Sequence, residues 1–279
     1  MKLAIQEDML PGESLAEQFE KAQRLGFAGI EFWSFGLEDR VEEIKRIAAE
    51  SPVQPSTVCY GRRRCLLHPK RARRERALAE VKRYLTLTAE IGAVGLVVVP
   101  IFGPPLMPDL SPLATPVELE KQLLIEIAGK LGQHAAEVGT LLLLEPLNRY
   151  ETHLLRRLQD AVEICQAVDH PAVRIMADLF HMSIEEADIP ASLEAVGPYI
   201  AHVHLADSNR ELPGRGHTDF AAALAALKRI GYQGYMTLEC GEPSQNAPLK
   251  EFYARELPRS LEYLRACGWS TEEASTVPS

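Results

Sequence analysis

The sequence predicts an α/β protein built as one (β/α)8 barrel of the TIM type. Apolar strand patterns alternate with amphipathic helix patterns eight times, no compositional break or long linker interrupts them, and 279 residues suit such a barrel. An open doubly wound sheet rarely needs so many units. The first strand pattern also lacks the Gly-x-Gly-x-x-Gly turn of a dinucleotide fold. The barrel is expected over residues 1–270, with the small, polar Thr271–Ser279 as a flexible tail.

Lys2–Gln6 is a short apolar strand, turned by Pro11-Gly12, and Glu13–Leu25 carries helical spacing at Leu15, Phe19, Ala22 and Leu25 before Gly26. Ala28–Trp33 is the second strand, and Leu37–Ala49 the second helix. Val53–Tyr60 is the third strand, and the charged run Pro69–Ile91 the third helix, stopped by Gly92. Val94–Pro100 reads as a buried strand. A Pro/Gly-rich loop leads to a helix over Val117–Val138, ended by Gly139. Strand five starts at Leu141: four leucines running into Glu145 and Pro146 suit a strand buried on both faces, as parallel sheets require. Leu154–Val168 is a helix, Val173–Asp178 a strand, Ile184–Val196 a helix and Ile200–Ala206 a strand. Asp219–Ile230, Tyr235–Glu239 and Leu249–Cys267 complete the helix, strand and helix that remain.

Composition excludes several classes. With a net charge of -9 the chain repels phosphate backbones and anionic lipid, so neither nucleic acid nor a membrane surface is expected as partner. Five cysteines, odd in number and without a Cys-x-x-Cys pair, read as reduced thiols of a cytoplasmic protein. Met1-Lys-Leu-Ala-Ile enters a strand pattern at once, so no signal peptide is expected, and no apolar run is long enough to span a bilayer.

The chemistry lies at the ends of the late strands: Glu145, Asp178, His204 and Glu239. Alternation puts Leu141, Leu143 and Glu145 on one face, and pairs Met176 with Asp178, His202 with His204 and Thr237 with Glu239. If those faces point inward, three carboxylates and one imidazole converge on the barrel mouth. Three anions there require a cation or protons. Oxygen donors with one imidazole suit Mn2+, Mg2+, Co2+ or Fe2+, leaving two positions for substrate oxygens. Taken singly, each carboxylate is more commonly a helix cap or an ion-pair member; four ligand types at four strand ends tip the balance. His202, one layer below His204, is expected as a hydrogen-bonded core residue.

Glu145-Pro-Leu-Asn-Arg, Asp178-Leu-Phe-His181-Met, His202-Val-His204-Leu-Ala-Asp207, Pro213-Gly-Arg-Gly216 and Gly234-Tyr-Met-Thr-Leu-Glu239 resemble the xylose-isomerase-like barrels, and among them the D-tagatose 3-epimerase group. The resemblance is strongest from Glu145 to Glu239. It implies that Glu145, Asp178, His204 and Glu239 bind one divalent metal, Mn2+ first among those named, and that Glu151, His181 and Arg210 touch a sugar. It further implies that Glu145 and Glu239 exchange protons with a ketose at C3 through a metal-stabilised enediolate. His181 and Arg210 suit hydrogen bonding to the developing oxyanion. The implied assembly is a homodimer or homotetramer.

Alternatives on the same site are an aldose–ketose isomerase of the hydroxypyruvate type and an inosose-type dehydratase. An apurinic-site endonuclease would need histidines at earlier strand ends, where this chain has Cys59-Tyr60 and Val99-Pro100. A sugar-binding barrel without turnover is disfavoured by the intact glutamate pair. The basic run Arg62–Arg64 most simply forms a solvated surface, and its minority reading is a seat for a sugar phosphate. Trp33, Phe35, Ile101, Phe102 and Leu106 fall on early loops, where they could wall the pocket or simply pack against one another.

Overall fold

In the computed structural model, which describes residues 1–241 and 249–270, all eight apolar runs form strands. The tail expected at 271–279 lies outside the described residues. The strands are β1 (Lys2–Gln6), β2 (Gly29–Trp33), β3 (Gln54–Cys59), β4 (Gly95–Val98), β5 (Leu141–Leu144), β6 (Val173–Asp178), β7 (Ile200–Leu205) and β8 (Tyr235–Leu238). Each pairs in parallel with the next, and β8 returns to β1, closing the barrel. Closure leaves no sheet edge, and it places every strand's C-terminus at one mouth.

The helices α1 (Leu15–Leu25), α2 (Val41–Ala49), α3 (Arg71–Glu90), α4 (Pro116–Val138) and α5 (Leu158–Val168) follow in order. Short side chains start several of them. Ser14 accepts from the Glu17 N–H, and Thr115 forms a reciprocal capping box with Glu118 ahead of Pro116. The single helix expected over Ile184–Val196 is two: α6 (Leu179–Glu185) and α7 (Ile189–Val196). Asp178 starts α6 by accepting the Phe180 N–H at 2.8 Å, and Asp188 restarts the chain by capping the Ala191 N–H at 2.9 Å ahead of Pro190. The Asp188 cap inside one apolar repeat divides it. α8 (Phe220–Arg229), capped by Asp219, and α9 (Leu249–Ala266) complete the outer layer.

Strand parity sorts the core. Leu142 and Leu144 join the large apolar layer between sheet and helices, whereas Leu143 points inward with Cys59, Val97 and Met176. That small apolar plug occupies only the β3–β6 side. Across from it the barrel interior is polar, with Gln6, Glu31, Thr57, His202 and Thr237 all buried.

Candidate active site and metal centre

Glu145 and Glu239 each stand one residue beyond their strand, their N–H groups still bonded to the neighbouring strands at Val98 O (3.2 Å) and Leu205 O (3.4 Å). The sheet ladder therefore fixes both backbones. Asp178 and His204 are direct neighbours in the β6–β7 register. All four side chains are buried, and one donor atom from each lies within 4.8 Å of the others. The inward convergence expected from parity is present. Asp178 performs two tasks that sequence reasoning set against each other: Oδ1 caps α6, while Oδ2 faces the cluster.

The donor set fits a divalent cation for a reason visible at His204. Its Nε2 lies 3.0 Å from Glu31 Oε2. A carboxylate partner there requires the proton on Nε2, which turns the Nδ1 lone pair toward the carboxylates. Nδ1 is buried and has no hydrogen-bond partner, although Glu239 Oε2 is 2.9 Å away. Burial disfavours the imidazolium, but the charges of Glu31 and Glu239 outweigh burial and raise the His204 pKa well above its ordinary value. A cation at that point would supply the positive charge the carboxylates call for.

Glu31 is the functional residue that sequence reasoning missed. It sits mid-strand in β2, buried, and accepts from Gln6 Nε2 (3.1 Å), Thr57 Oγ1 (2.6 Å), His202 Nε2 (3.0 Å) and His204 Nε2 (3.0 Å). Burial works against its charge, yet the His204 charge and the histidine hydrogen bonds hold its carboxyl well below the usual range. Glu31, His202 and His204 form a second cluster with metal-ligand spacing. Its oxygens are already saturated with donors, so the hydrogen-bonded description accounts for it. His202 is the packed core histidine expected. A lone carboxylate centred in Gly29-Ile-Glu-Phe-Trp was the available signal.

His181 belongs to the first turn of α6. The Asn148 backbone N–H (3.1 Å) and side-chain amide (2.8 Å) both meet its Nδ1. A backbone N–H can only donate, so Nδ1 accepts and Nε2 carries the proton. Nε2 lies 3.7 Å from Asp178 Oδ2 and 3.9 Å from Glu145 Oε1. Burial lowers the His181 pKa, so the ring is a neutral donor aimed at the cluster.

Arg210, expected at the sugar, reaches further in. Its guanidinium spans Asp178 (2.5 Å) and Glu239 and stacks 4.8 Å from the Phe180 ring. Its backbone sits in the left-handed region at φ 66°, uncommon without glycine. Asp207 holds that loop, accepting four backbone N–H groups, from Ser208, Gly214, Arg215 and Thr218, at 2.7–3.0 Å. A Cβ on Gly216 would lie 2.4 Å from Asp207 Oδ1, so only glycine lets the loop wrap this closely. Asp207→Ala is expected to cost about 2–3 kcal/mol in thermal unfolding and to lower turnover by unseating Arg210. An unchanged melting temperature and unchanged activity would show that other contacts hold the loop.

Glu151, implied by resemblance to touch the sugar, is tied down in its loop. Its carbonyl accepts the Gly103 N–H at 2.7 Å, and its carboxylate meets Arg62 at 2.6 Å. Beside it His153 joins Gly103 O (2.7 Å) to Glu120 (2.5 Å), whose other oxygen accepts the Leu106 and Met107 N–H groups. A cavity of ≈ 390 Å³ lies above Glu145 and Glu239, walled by Trp33, Phe102 and Phe180 and reached by Glu151, His181 and Arg210. Burial and the facing Glu239 charge push the Glu145 carboxyl well above its usual range. For Glu239 burial is outweighed by Arg210 and His204, which hold it ionised.

A closed ring of eight parallel βα units with three carboxylates and an imidazole gathered at its C-terminal mouth defines a TIM barrel with a buried polar cluster. The chain belongs to the xylose isomerase-like TIM barrel family, whose model matches residues 19–267. It is 32% identical over 269 residues, 96% of this chain and 100% of the relative, to 3-dehydro-D-guloside 4-epimerase of Escherichia coli (strain K12). A crystal structure of 3-keto-D-glucoside 4-epimerase from E. coli, in apo form, superposes with TM-score 0.84 at 31% identity, covering 96% of this chain and all of the other. D-psicose 3-epimerase of Ruminiclostridium cellulolyticum is 36% identical over 115 residues, 41% of this chain and 39% of the relative. No helix among the described residues is long and apolar enough to cross a membrane.

Proposed function

We propose that this protein is a carbohydrate epimerase that inverts the hydroxyl-bearing carbon beside the carbonyl of a keto sugar. The observation that carries this reading is the pair Glu145 and Glu239, two buried carboxylates that line one cavity and converge with Asp178 and His204 within 4.8 Å. One carboxylate removes the proton from the carbon, leaving an enediolate, and the other returns a proton from the opposite side. Their roles exchange with the epimer bound. His181 Nε2–H and Arg210 donate to the oxygens on which negative charge builds, and Glu151 holds a hydroxyl at the rim. Glu145, Asp178, His204 and Glu239 would hold one divalent cation, Mn2+ first, whose Lewis acidity would lower the cost of that charge.

Inversion at C3 of a 2-ketose and at C4 of a 3-keto sugar are the same step moved by one carbon. The end-to-end likeness to a 4-epimerase favours the 3-keto sugar over the 2-ketose, where the sequence match is partial. The test is a panel of both sugar types incubated in D2O. Deuterium is expected at the carbon beside the carbonyl, and no uptake across the panel would overturn the reading. For the cation, stripping the protein and titrating Mn2+ is expected to raise the melting temperature and saturate at one ion per chain, by roughly 2.7 kcal/mol of stabilisation at a hundredfold excess over Kd. No change in melting temperature would remove the cation from the site.

A further inference from the structure

Phe102 and Glu151 reach the cavity over Glu145 and Glu239 from two different loops, those after β4 and β5. The two loops are joined at several points. The Gly103 N–H bonds Glu151 O at 2.7 Å, Thr152 Oγ1 bonds Ile101 O at 2.8 Å, and Gly103 pairs with Thr152 as an isolated bridge. The backbone of Glu151 is therefore set by the loop after β4, whereas Glu145 and Glu239 are set by the sheet.

The loop after β4 is in turn held by a polar pair that no step of the proposed reaction uses. Glu120 is the first of the inward positions of α4, followed by Leu124, Ile127 and Leu131, and it is buried as they are. Its Oε1 accepts the Leu106 (2.6 Å) and Met107 (3.1 Å) N–H groups, and its Oε2 lies 2.5 Å from His153 Nε2. Across the ring, Nδ1 lies 2.7 Å from Gly103 O, which can only accept. Nδ1 therefore carries a proton, and one more is shared between Nε2 and Glu120. A single imidazole ties α4 to both loops. Apolar side chains of similar volume usually serve stability as well as a buried charged pair does. The polar pair adds direction, because it fixes where the loops stand.

We propose that Glu120 and His153 are positioning residues for the reaction. They touch no substrate and act through Glu151, holding its carboxylate where a sugar hydroxyl meets it. This rests on the epimerase reading, in which Glu151 binds that hydroxyl.

The test is steady-state kinetics on the full chain supplemented with Mn2+, using the keto sugar of the D2O panel that takes up deuterium fastest. His153→Leu is expected to raise KM about tenfold and to leave kcat within about twofold, since the reacting pair stays on the sheet. Glu151→Ala should raise KM by a similar factor, and His153→Leu should add nothing in that background. Glu120→Gln can still accept both loop N–H groups and donate its amide to a neutral ring, so it should restore the low KM that an alanine there loses. His153→Asn keeps a donor for Gly103 but cannot reach Glu120, and it gives the same comparison should the leucine variant fail to fold. An unchanged KM, a double variant whose KM rises about a hundredfold, or a lowered melting temperature as the sole effect would each overturn the proposal. Amide hydrogen exchange needs no turnover: it is expected to quicken about tenfold at residues 101–107 and 148–153 in His153→Leu, and unchanged exchange would refute the clasp itself. A panel without deuterium uptake overturns the epimerase reading instead.

Discussion

Glu145→Gln and Glu239→Gln are each expected to reduce epimerisation by about 10²–10⁴-fold, the usual contribution of a positioned acid or base. Glutamine keeps the shape and one oxygen but cannot accept the carbon-bound proton. The two variants should differ in a second measurement. Starting from the epimer whose proton faces the remaining glutamate, deuterium is still exchanged into the substrate without inversion. Starting from the other epimer, exchange is lost. Swapping the variant should swap the epimer that exchanges. Normal exchange from both epimers in both variants would refute the assigned pair.

Glu31→Ala is expected to destabilise the fold by about 3–5 kcal/mol, because it leaves donors from Gln6, Thr57, His202 and His204 around a buried void. Glu31→Gln keeps the volume and isolates the effect on the cation: Mn2+ affinity should fall by roughly 10- to 100-fold as the His204 ring loses its fixed tautomer. Glu31 also sets an acid limit. Its folded carboxyl titrates well below the ordinary value of 4.5. The stability it contributes is therefore complete above that value and lost as the pH falls through the folded pKa. Melting temperature followed from neutral pH down through the carboxylate range should decline less steeply in Glu31→Gln than in the parent. Parallel declines would show that Glu31 carries no such linkage.

The ring of strands was legible because its signal is local: runs such as Leu141–Leu144 are apolar throughout and end in turn chemistry. The convergence of Glu145, Asp178, His204 and Glu239 was legible because strand parity carries a residue's face to the strand end without tertiary knowledge. What escaped depends on partners remote in sequence. Glu31 is 171 residues from His202 and 173 from His204, and nothing near it announces the pairing. The break between α6 and α7 lay hidden under continuous apolar spacing, since Asp188 acts through a single side-chain hydrogen bond. Arg210 was expected at the sugar from resemblance; its hold on Asp178 and Glu239 follows from a loop conformation that no motif specifies.

The polar side of the barrel interior has a consequence for where function resides in the chain. The four proposed cation ligands, Glu145, Asp178, His204 and Glu239, all come from the second half, so that half looks self-sufficient when read as text. Yet the ring nitrogen that His204 offers is chosen by Glu31 on β2, which is itself steadied by Gln6 on β1 and Thr57 on β3. A half-barrel cut before β5 would carry all four donors and lose the instruction that aims one of them. The early strands, with no recognisable signature of their own, act as the alignment jig of the site. Swapping them for those of another barrel would have to bring an equivalent acceptor at the Glu31 position.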